Sequence, residues 1–243
     1  AYSLLGEILL FFFSFLLGVL TARYLGPTGR GGFWIIYNAA GLLTIIFSMR
    51  FVQSMTYHLS KNKDMLGEIV LYGLFVGIVT VSCVALLATA SFSLLYGTLL
   101  KGLETSWAIL VLVCVSYYFW ALIIAVIEGL MLFNAKALFM GGSFLLKCLL
   151  VVFGLGYLGL GLDDLILLMG SVEAIAYSAI VVTILGKAKH FRVNASSFQG
   201  MLKYSVKSFP GTVSNFYTLR MDVFFLNYFS GAAEVGIYSV AVS

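Results

Sequence analysis

The feature that most limits the folds open to this chain is a series of long apolar runs with few charges inside them. A bilayer core requires about 20 consecutive apolar residues per helix. Seven segments reach that length, near residues 3–25, 31–59, 67–95, 107–133, 137–158, 163–186 and 205–229, and an eighth begins near Val235. Because a spanning segment must satisfy its backbone hydrogen bonds internally, these runs predict an all-α, multi-pass membrane protein.

Composition supports the same class. Hydrophobic residues make up 62% of the 243 residues and charged residues only 10%, whereas soluble domains carry about 25% charged residues. A net charge of +4 is too small to indicate a nucleic-acid partner, so membrane lipids are the expected surroundings. Cys83, Cys114 and Cys148 fall inside apolar runs and are interpreted as small buried side chains rather than disulfides or metal ligands. The chain begins without a methionine and stops inside an apolar segment, so we expect a fragment.

Basic residues predict the orientation. The connections on one side carry Lys61, Lys63, Lys136, Lys187, Lys189, Arg192 and Lys203, and those on the other side carry Arg23, Arg30 and Lys101. By the positive-inside rule the lysine-rich side is cytoplasmic. The N-terminus is therefore predicted to lie in the cytoplasm.

A polar stretch and an internal repeat predict two helical bundles. The stretch from Gly186 to Gly200 resembles a linker, which places a six-helix first bundle at residues 1–198 and the first one to two helices of a second bundle at residues 199–243. Residues 24–34 align without gaps to residues 228–238, preserving the tyrosine and one glycine. Six spans intervene, so both copies insert the same way up. Parallel repeats of this kind are typical of alternating-access transporters.

Several motifs resemble one transporter family. They are Ala22-Arg23-Tyr24-Leu25-Gly26-Pro27, Glu128-Gly129, Phe209-Pro210, and Gly231-Ala232-Ala233-Glu234-Val235-Gly236-Ile237-Tyr238. In order and spacing the chain is similar to the polysaccharide-biosynthesis flippases, the O-antigen and related repeat-unit exporters of the multidrug, oligosaccharidyl-lipid and polysaccharide superfamily. The resemblance implies two bundles that move an undecaprenyl-diphosphate-linked oligosaccharide across the bacterial cytoplasmic membrane. It also implies a polysaccharide polymerase and chain-length machinery as partners, and no cofactor.

Ionisable residues inside the spans are the candidate site residues, because charges in a bilayer mark transport paths or ion pairs. Lys147 and Glu173 each lie 13 residues from Leu160, so antiparallel helices would bring them to one depth. Their pair either fixes the packing or places the Lys147 ammonium on a cavity where it attracts a diphosphate. Arg220 lies near mid-membrane in the seventh span and is the leading candidate for the diphosphate or sugar carboxylates.

The other candidates keep two interpretations each. Arg50 either snorkels to the headgroups or flanks an inner cavity mouth. Asp222, two residues after Arg220, makes either a packing hydrogen bond or an ion-coupling site, and Glu7 is either interfacial or a coupling site. Pro210 and Gly211 predict a kink in the seventh span, and a gating hinge is the sharper hypothesis. Tyr117, Tyr118, Phe119 and Trp120 are interpreted as core or lipid contacts rather than a sugar platform.

No catalytic constellation is visible in the sequence. His58 and His190 have no cysteine or carboxylate at metal-ligand spacing, so neither an enzyme nor a metal site is predicted. Two alternatives to the flippase stay open. One is a cation-coupled multidrug exporter of the related superfamily branch, and the other is a membrane-embedded glycan polymerase or acyltransferase.

Overall fold

The computed structural model describes residues 2–90, 97–98, 100–103, 106–188, 191 and 194–242, with side chains from residue 11 onward. The regular elements in these ranges are all helical. In chain order the α-helices are α1 (Tyr2–Ser48), α2 (Phe51–Lys61), α3 (Leu66–Ala90), α4 (Trp107–Gly129), α5 (Phe133–Val151), α6 (Leu162–Lys187), α7 (Ala195–Ser230) and α8 (Ala232–Val242). A 3-10 turn (Lys63–Met65) precedes α3, and a π-helical turn (Val152–Tyr157) extends α5.

Within the described ranges, five helical segments are long and apolar enough to cross a membrane. They are Phe11–Ser48, Lys63–Ala90, Trp107–Gly129, Phe133–Tyr157 and Leu162–Lys187. The chain is therefore an all-α multi-pass membrane protein, as the apolar runs predict. The first segment covers two predicted spans. Helix α7 holds the predicted seventh span but is not one of the five, because residues such as Asn215, Arg220 and Asp222 interrupt its apolar character.

Helix α1 reverses direction at Gly26. This glycine has φ 67° and ψ −177°, a backbone conformation that residues with a Cβ rarely adopt. Residues 13 and 37 would lie about 36 Å apart in a straight helix. Instead, the Phe13 carbonyl is 3.5 Å from Cys148 Sγ, and the Tyr37 ring is 5.3 Å from Nζ of the adjacent Lys147. The first arm (residues 2–25) and the second arm (residues 27–48) therefore run side by side, one for each of the first two predicted spans.

The predicted second span, residues 31–59, is broken into two helices. Met49 and Arg50 have φ values of 46° and 56°, and helix α2 begins after them at Phe51. Its buried face consists of Phe51, Ser54, Met55 and Leu59, at the three-to-four-residue spacing of an amphipathic helix. The predicted span was wrong in its continuity, because left-handed conformations at non-glycine residues leave no clear sequence signal.

Helix α7 begins at Ala195, ten residues before the predicted seventh span. Asn194 caps it by accepting a hydrogen bond from the Ser196 amide at 3.0 Å, a strongly preferred arrangement at a helix start. Its first turns pack on the first bundle, since Ser54 Oγ donates to the Met201 carbonyl at 2.8 Å. The predicted boundary between residues 198 and 199 therefore falls inside a helix, and the division into two bundles stays a prediction.

Two clusters of buried apolar side chains hold the described helices together. One lies among α1, α4, α5 and α6 and reaches Val223 and Val235 of α7 and α8. The other lies among α2, α3, α4 and α6 and includes Met201. Helix α1 packs against α8, α5, α4, α3 and α7. Any cavity at the centre of these helices is therefore expected to border α1.

Candidate functional site

A cavity of about 310 Å³ lies between the second arm of α1 and helix α7. Its lining residues recur every three or four positions on both helices, so one face of each helix points into the cavity. They are Trp34, Tyr37, Asn38, Gly41 and Ile45 of α1, Arg50 after it, Tyr117 of α4, and Thr212, Asn215, Phe216, Leu219 and Arg220 of α7. Along α1 this cavity, called here the main cavity, extends from Trp34 to Arg50.

The main cavity has a positive and aromatic lining. Arg50 and Arg220 are the charged side chains that line it among the described residues, and no carboxylate joins them. The Arg220 guanidinium lies 5.2 Å from the centre of the Trp34 ring, within the range of a cation–π contact. Tyr37, Asn38, Tyr117 and Asn215 add polar groups. Such a lining suits an anionic ligand with hydroxyl or amide groups.

A second cavity, called here the side cavity, lies among α1, α4, α5 and α6, with Arg220 of α7 at its edge. Its volume is about 300 Å³, and its lining consists of Tyr37, Ser116, Tyr117, Trp120, Ser143, Phe144, Lys147, Glu173 and Arg220. Tyr37, Tyr117 and Arg220 line both cavities. The two predicted membrane cations Arg220 and Lys147 therefore lie along adjoining spaces.

Lys147 and Glu173 form the ion pair that their equal spacing from Leu160 predicts. Lys147 Nζ lies 3.4 Å from Glu173 Oε1. Helix α5 carries the lysine and helix α6 the glutamate, and the turn between them starts at Gly159, which has φ 64°. Lys147 also lies 5.3 Å from the centre of the Tyr37 ring and 5.8 Å from that of Phe144.

Asp222 lies outside both cavities. Its Oδ1 accepts a hydrogen bond from the Val223 amide at 2.8 Å, and its Oδ2 accepts one from the Tyr238 hydroxyl. The contact joins α7 to α8, which matches the packing interpretation of Asp222 and its predicted separation from Arg220. The Glu7 side chain lies outside the described residues. Helix α7 continues through Pro210 and Gly211 without ending, so a hinge there stays a prediction.

A very close helix crossing lies beyond the Trp34 end of the main cavity. A Cβ on Gly31 would overlap the Ala232 carbonyl oxygen, and a Cβ on Gly236 would overlap the Pro27 carbonyl oxygen. The backbones of α1 and α8 therefore touch, which only glycine allows. The segments that cross are the two copies of the aligned repeat, residues 24–34 and 228–238.

Arg30 stabilises this crossing, although the sequence predicts that it lies in a connection between spans. The side chain is 2% exposed. Its Nε donates to Ser239 Oγ at 3.0 Å, and its Nη1 donates to Thr21 Oγ1. One guanidinium thus joins both arms of α1 to α8. The assignment to a connection was wrong because α1 resumes immediately after Gly26, so that Arg30 already lies within a packed helix.

Sequence reasoning missed the aromatic and amide part of the site. Trp34, Tyr37, Asn38 and Asn215 line the main cavity, yet none was singled out. A signal for them is present in the sequence. Trp34 and Asn38 are four residues apart in an apolar run, so they lie on the same side of a helix. Of the aromatic cluster, Tyr117 and Trp120 line the side cavity, whereas Tyr118 is buried against α3, so the core interpretation was incomplete.

The described residues contain no group of three or more His, Cys, Asp and Glu side chains that could hold a metal ion. His58 contacts Ser54, and Glu128 pairs with Lys136 at 2.7 Å. His190 lies outside the described residues. The two cavities offer charged groups, aromatic rings and amides to a ligand.

Comparison with known proteins agrees with this kind of site. A family model described as polysaccharide biosynthesis protein matches residues 1–243. No curated protein and no solved structure gave a match. By the match along its whole length, the chain belongs to the polysaccharide biosynthesis protein family, and its role is in the synthesis or transport of polysaccharide.

Proposed function

We propose that this protein is a flippase that moves an undecaprenyl-diphosphate-linked oligosaccharide across the bacterial cytoplasmic membrane for cell-surface polysaccharide synthesis. The observation that carries the proposal is the main cavity, where Arg50 and Arg220 face the same space without a carboxylate among the described lining residues. A diphosphate is a strong acceptor for guanidinium groups. An exporter of cationic drugs would instead need an acid on this cavity.

The remaining lining fits the sugar end of such a substrate. Tyr37, Tyr117 and Trp34 offer ring faces, and Asn38 and Asn215 offer amide donors and acceptors. At about 30 Å³ per water molecule, the main cavity corresponds to about ten waters. That volume suits the diphosphate head, while the prenyl tail stays in the bilayer between helices. Binding of a whole oligosaccharide requires the cavity to widen toward Arg50.

The close helix crossing beyond one end of the main cavity supports alternating access. The crossing of Gly31 and Gly236 lies beyond Trp34, on the predicted outer side, whereas Arg50 lies toward the lysine-rich, predicted cytoplasmic side. In this proposal residues 1–198 are the first bundle and residues 199–243 open the second. The N-terminus is cytoplasmic, and a polymerase and chain-length machinery use the exported unit.

The test is replacement of Arg220 by alanine in the full-length protein, in cells that depend on it for surface glycan. Loss of one charge-assisted contact of about 1.5–3 kcal/mol weakens binding by about ten- to a hundredfold. We therefore expect less surface glycan and an accumulation of lipid-linked oligosaccharide on the cytoplasmic leaflet. Lys207→Ala is the matched control, since Lys207 is exposed on α7 and lies outside the main-cavity lining.

The two alternatives give different outcomes. Accumulation of unpolymerised units on the outer leaflet would favour a polymerase. Increased drug sensitivity with normal surface glycan would favour a multidrug exporter. Unchanged export in Arg220→Ala would remove this residue, and with it the proposed diphosphate site, from the account.

A further inference from the structure

The ion pair in the side cavity is buried and has a longer N···O distance than the more exposed pair of Lys136 with Glu128. Glu173 is 2% exposed, and its Oε1 receives no hydrogen bond from the residues that the structure describes. Its counter-ion, Lys147 Nζ, lies at 3.4 Å, compared with 2.7 Å in the more exposed pair of Lys136 with Glu128. Buried ion pairs are stable only when further hydrogen bonds satisfy both partners. Glu173 therefore depends almost entirely on one cation.

That cation lies where the substrate of the proposed flippase would compete for it. Arg220 lines both cavities, and Lys147 lines the side cavity next to it. A diphosphate bound at Arg220 places a second anion within reach of the flexible lysine side chain. A diphosphate carries more negative charge than a single carboxylate, so Lys147 is expected to turn toward it.

We propose that binding of the diphosphate draws Lys147 away from Glu173 and that Glu173 then takes up one proton. This inference rests on the proposed function. A buried carboxylate without its counter-ion is far more costly than a neutral carboxyl group, so the proton comes from solution to the carboxylate oxygen. When the diphosphate leaves, Lys147 returns to Glu173 and the proton is released. Each cycle thus takes up one proton when the substrate binds and releases one proton when the substrate leaves.

The titratable groups around Glu173 are phenols and cations, so Glu173 is the group among them that accepts the proton. Tyr37 of α1, Tyr117 of α4 and Tyr177 of its own helix are phenols, which are neutral near pH 7. Lys147 of α5 and Arg220 of α7 are cations. Among the described residues that line the side cavity, Glu173 is the carboxylate.

The experiment measures protons taken up on binding. Farnesyl diphosphate is titrated calorimetrically into the detergent-solubilised full-length protein, at one pH, in two buffers with different ionisation enthalpies. We expect about one proton taken up per diphosphate bound, and an affinity that falls about tenfold per pH unit while Glu173 is ionised in the free protein. Glu173→Gln should bind the same probe with no proton uptake and no such pH dependence.

Two further variants serve as an independent test and as a control. Lys147→Met leaves Glu173 already protonated, so this variant should bind with no proton uptake even if Glu173→Gln does not fold. Glu128→Gln removes the carboxylate of the other ion pair and should keep the full uptake. Binding by the unmodified protein without proton uptake, or unchanged uptake in Glu173→Gln, would overturn the inference and leave the flippase proposal intact. Absence of any binding would overturn both.

Discussion

Single glycines set how closely helices α1 and α8 can approach each other. At Gly31 and Gly236 a Cβ would overlap backbone atoms of the facing helix, and backbone cannot rotate out of the way as a side chain can. Arg30 depends on this approach, because its Nε reaches Ser239 across the same crossing. The two glycines therefore set the distance between α1 and α8 and, through Arg30, affect both arms of α1.

We predict that Gly31→Ala and Gly236→Ala each destabilise the closed protein by about 1–3 kcal/mol, the usual cost of overpacking. Thermal unfolding of the purified protein in detergent should show a midpoint lower by several degrees. Gly141→Ala is the matched control. A Cβ there meets none of the described atoms within 4 Å, and alanine favours the helix. Equal midpoints for all three variants would contradict the close crossing.

At the scale of a helix, neighbouring residues on α4 have different tasks because successive side chains point about 100° apart. Tyr117 lines both cavities, and Trp120, one turn later, lines the side cavity. Tyr118 points to α3 instead, where its hydroxyl donates to the Gly73 carbonyl at 2.6 Å. The same chemical change at adjacent tyrosines should therefore separate binding from stability.

We predict that Tyr118→Phe lowers the free energy of unfolding by about 0.5–1.5 kcal/mol, the net value of one hydrogen bond, and leaves affinity for farnesyl diphosphate unchanged. Tyr117→Phe should leave stability unchanged and weaken the same affinity by about twofold to tenfold, because a hydroxyl is lost from the cavity lining. Unfolding midpoints and binding isotherms of both variants check the pair. A reversed pattern would mean that Tyr118, and not Tyr117, faces the ligand.

Helices of this chain were more predictable than the breaks between them. Apolar length located α3, α4, α5 and α6 closely, because hydrocarbon thickness fixes that length. Apolar length did not locate the break at Met49 and Arg50. Left-handed backbone angles at these two residues do not change the composition of the segment. The start of α7 at Ala195 was not predicted either. Its first turns are polar, so apolar length does not reveal a helix that packs on the protein and not on lipid.

The charged residues of the candidate site could be predicted from the sequence, whereas its uncharged lining residues could not. Arg50, Arg220 and Lys147 stand out because an ionisable group in an apolar run is rare. Tryptophan and asparagine also occur in protein cores and at helix interfaces. Only the packing of the helices therefore shows that Trp34 and Asn38 border a cavity. The Lys147–Glu173 pair was predictable because a short turn fixes the register of two antiparallel helices.

For the whole molecule, the close crossing at Gly31 and Gly236 and the position of Arg50 mark the two ends of the main cavity. The positive-inside rule predicts that the Arg50 end, on the side of the lysine-rich loops, faces the cytoplasm. Ser239 is fully buried beside Arg30, and Thr212 lines the main cavity. Single cysteines at these two positions therefore report on opposite ends of one path.

We predict that, in a variant lacking Cys83, Cys114 and Cys148, a membrane-impermeant maleimide labels Thr212→Cys from the cytoplasmic side only. Ser239→Cys should stay unlabelled from either side while the protein rests in the closed form, because Arg30 and the crossing helices cover it. Inside-out and right-side-out vesicles, with labelling read by gel shift, separate the two sides. Lys61→Cys and Thr28→Cys, both exposed, serve as controls for the cytoplasmic and outer faces. Outer labelling of Thr212→Cys, with both controls as expected, would mean that the resting cavity opens outward and that the crossing does not seal it.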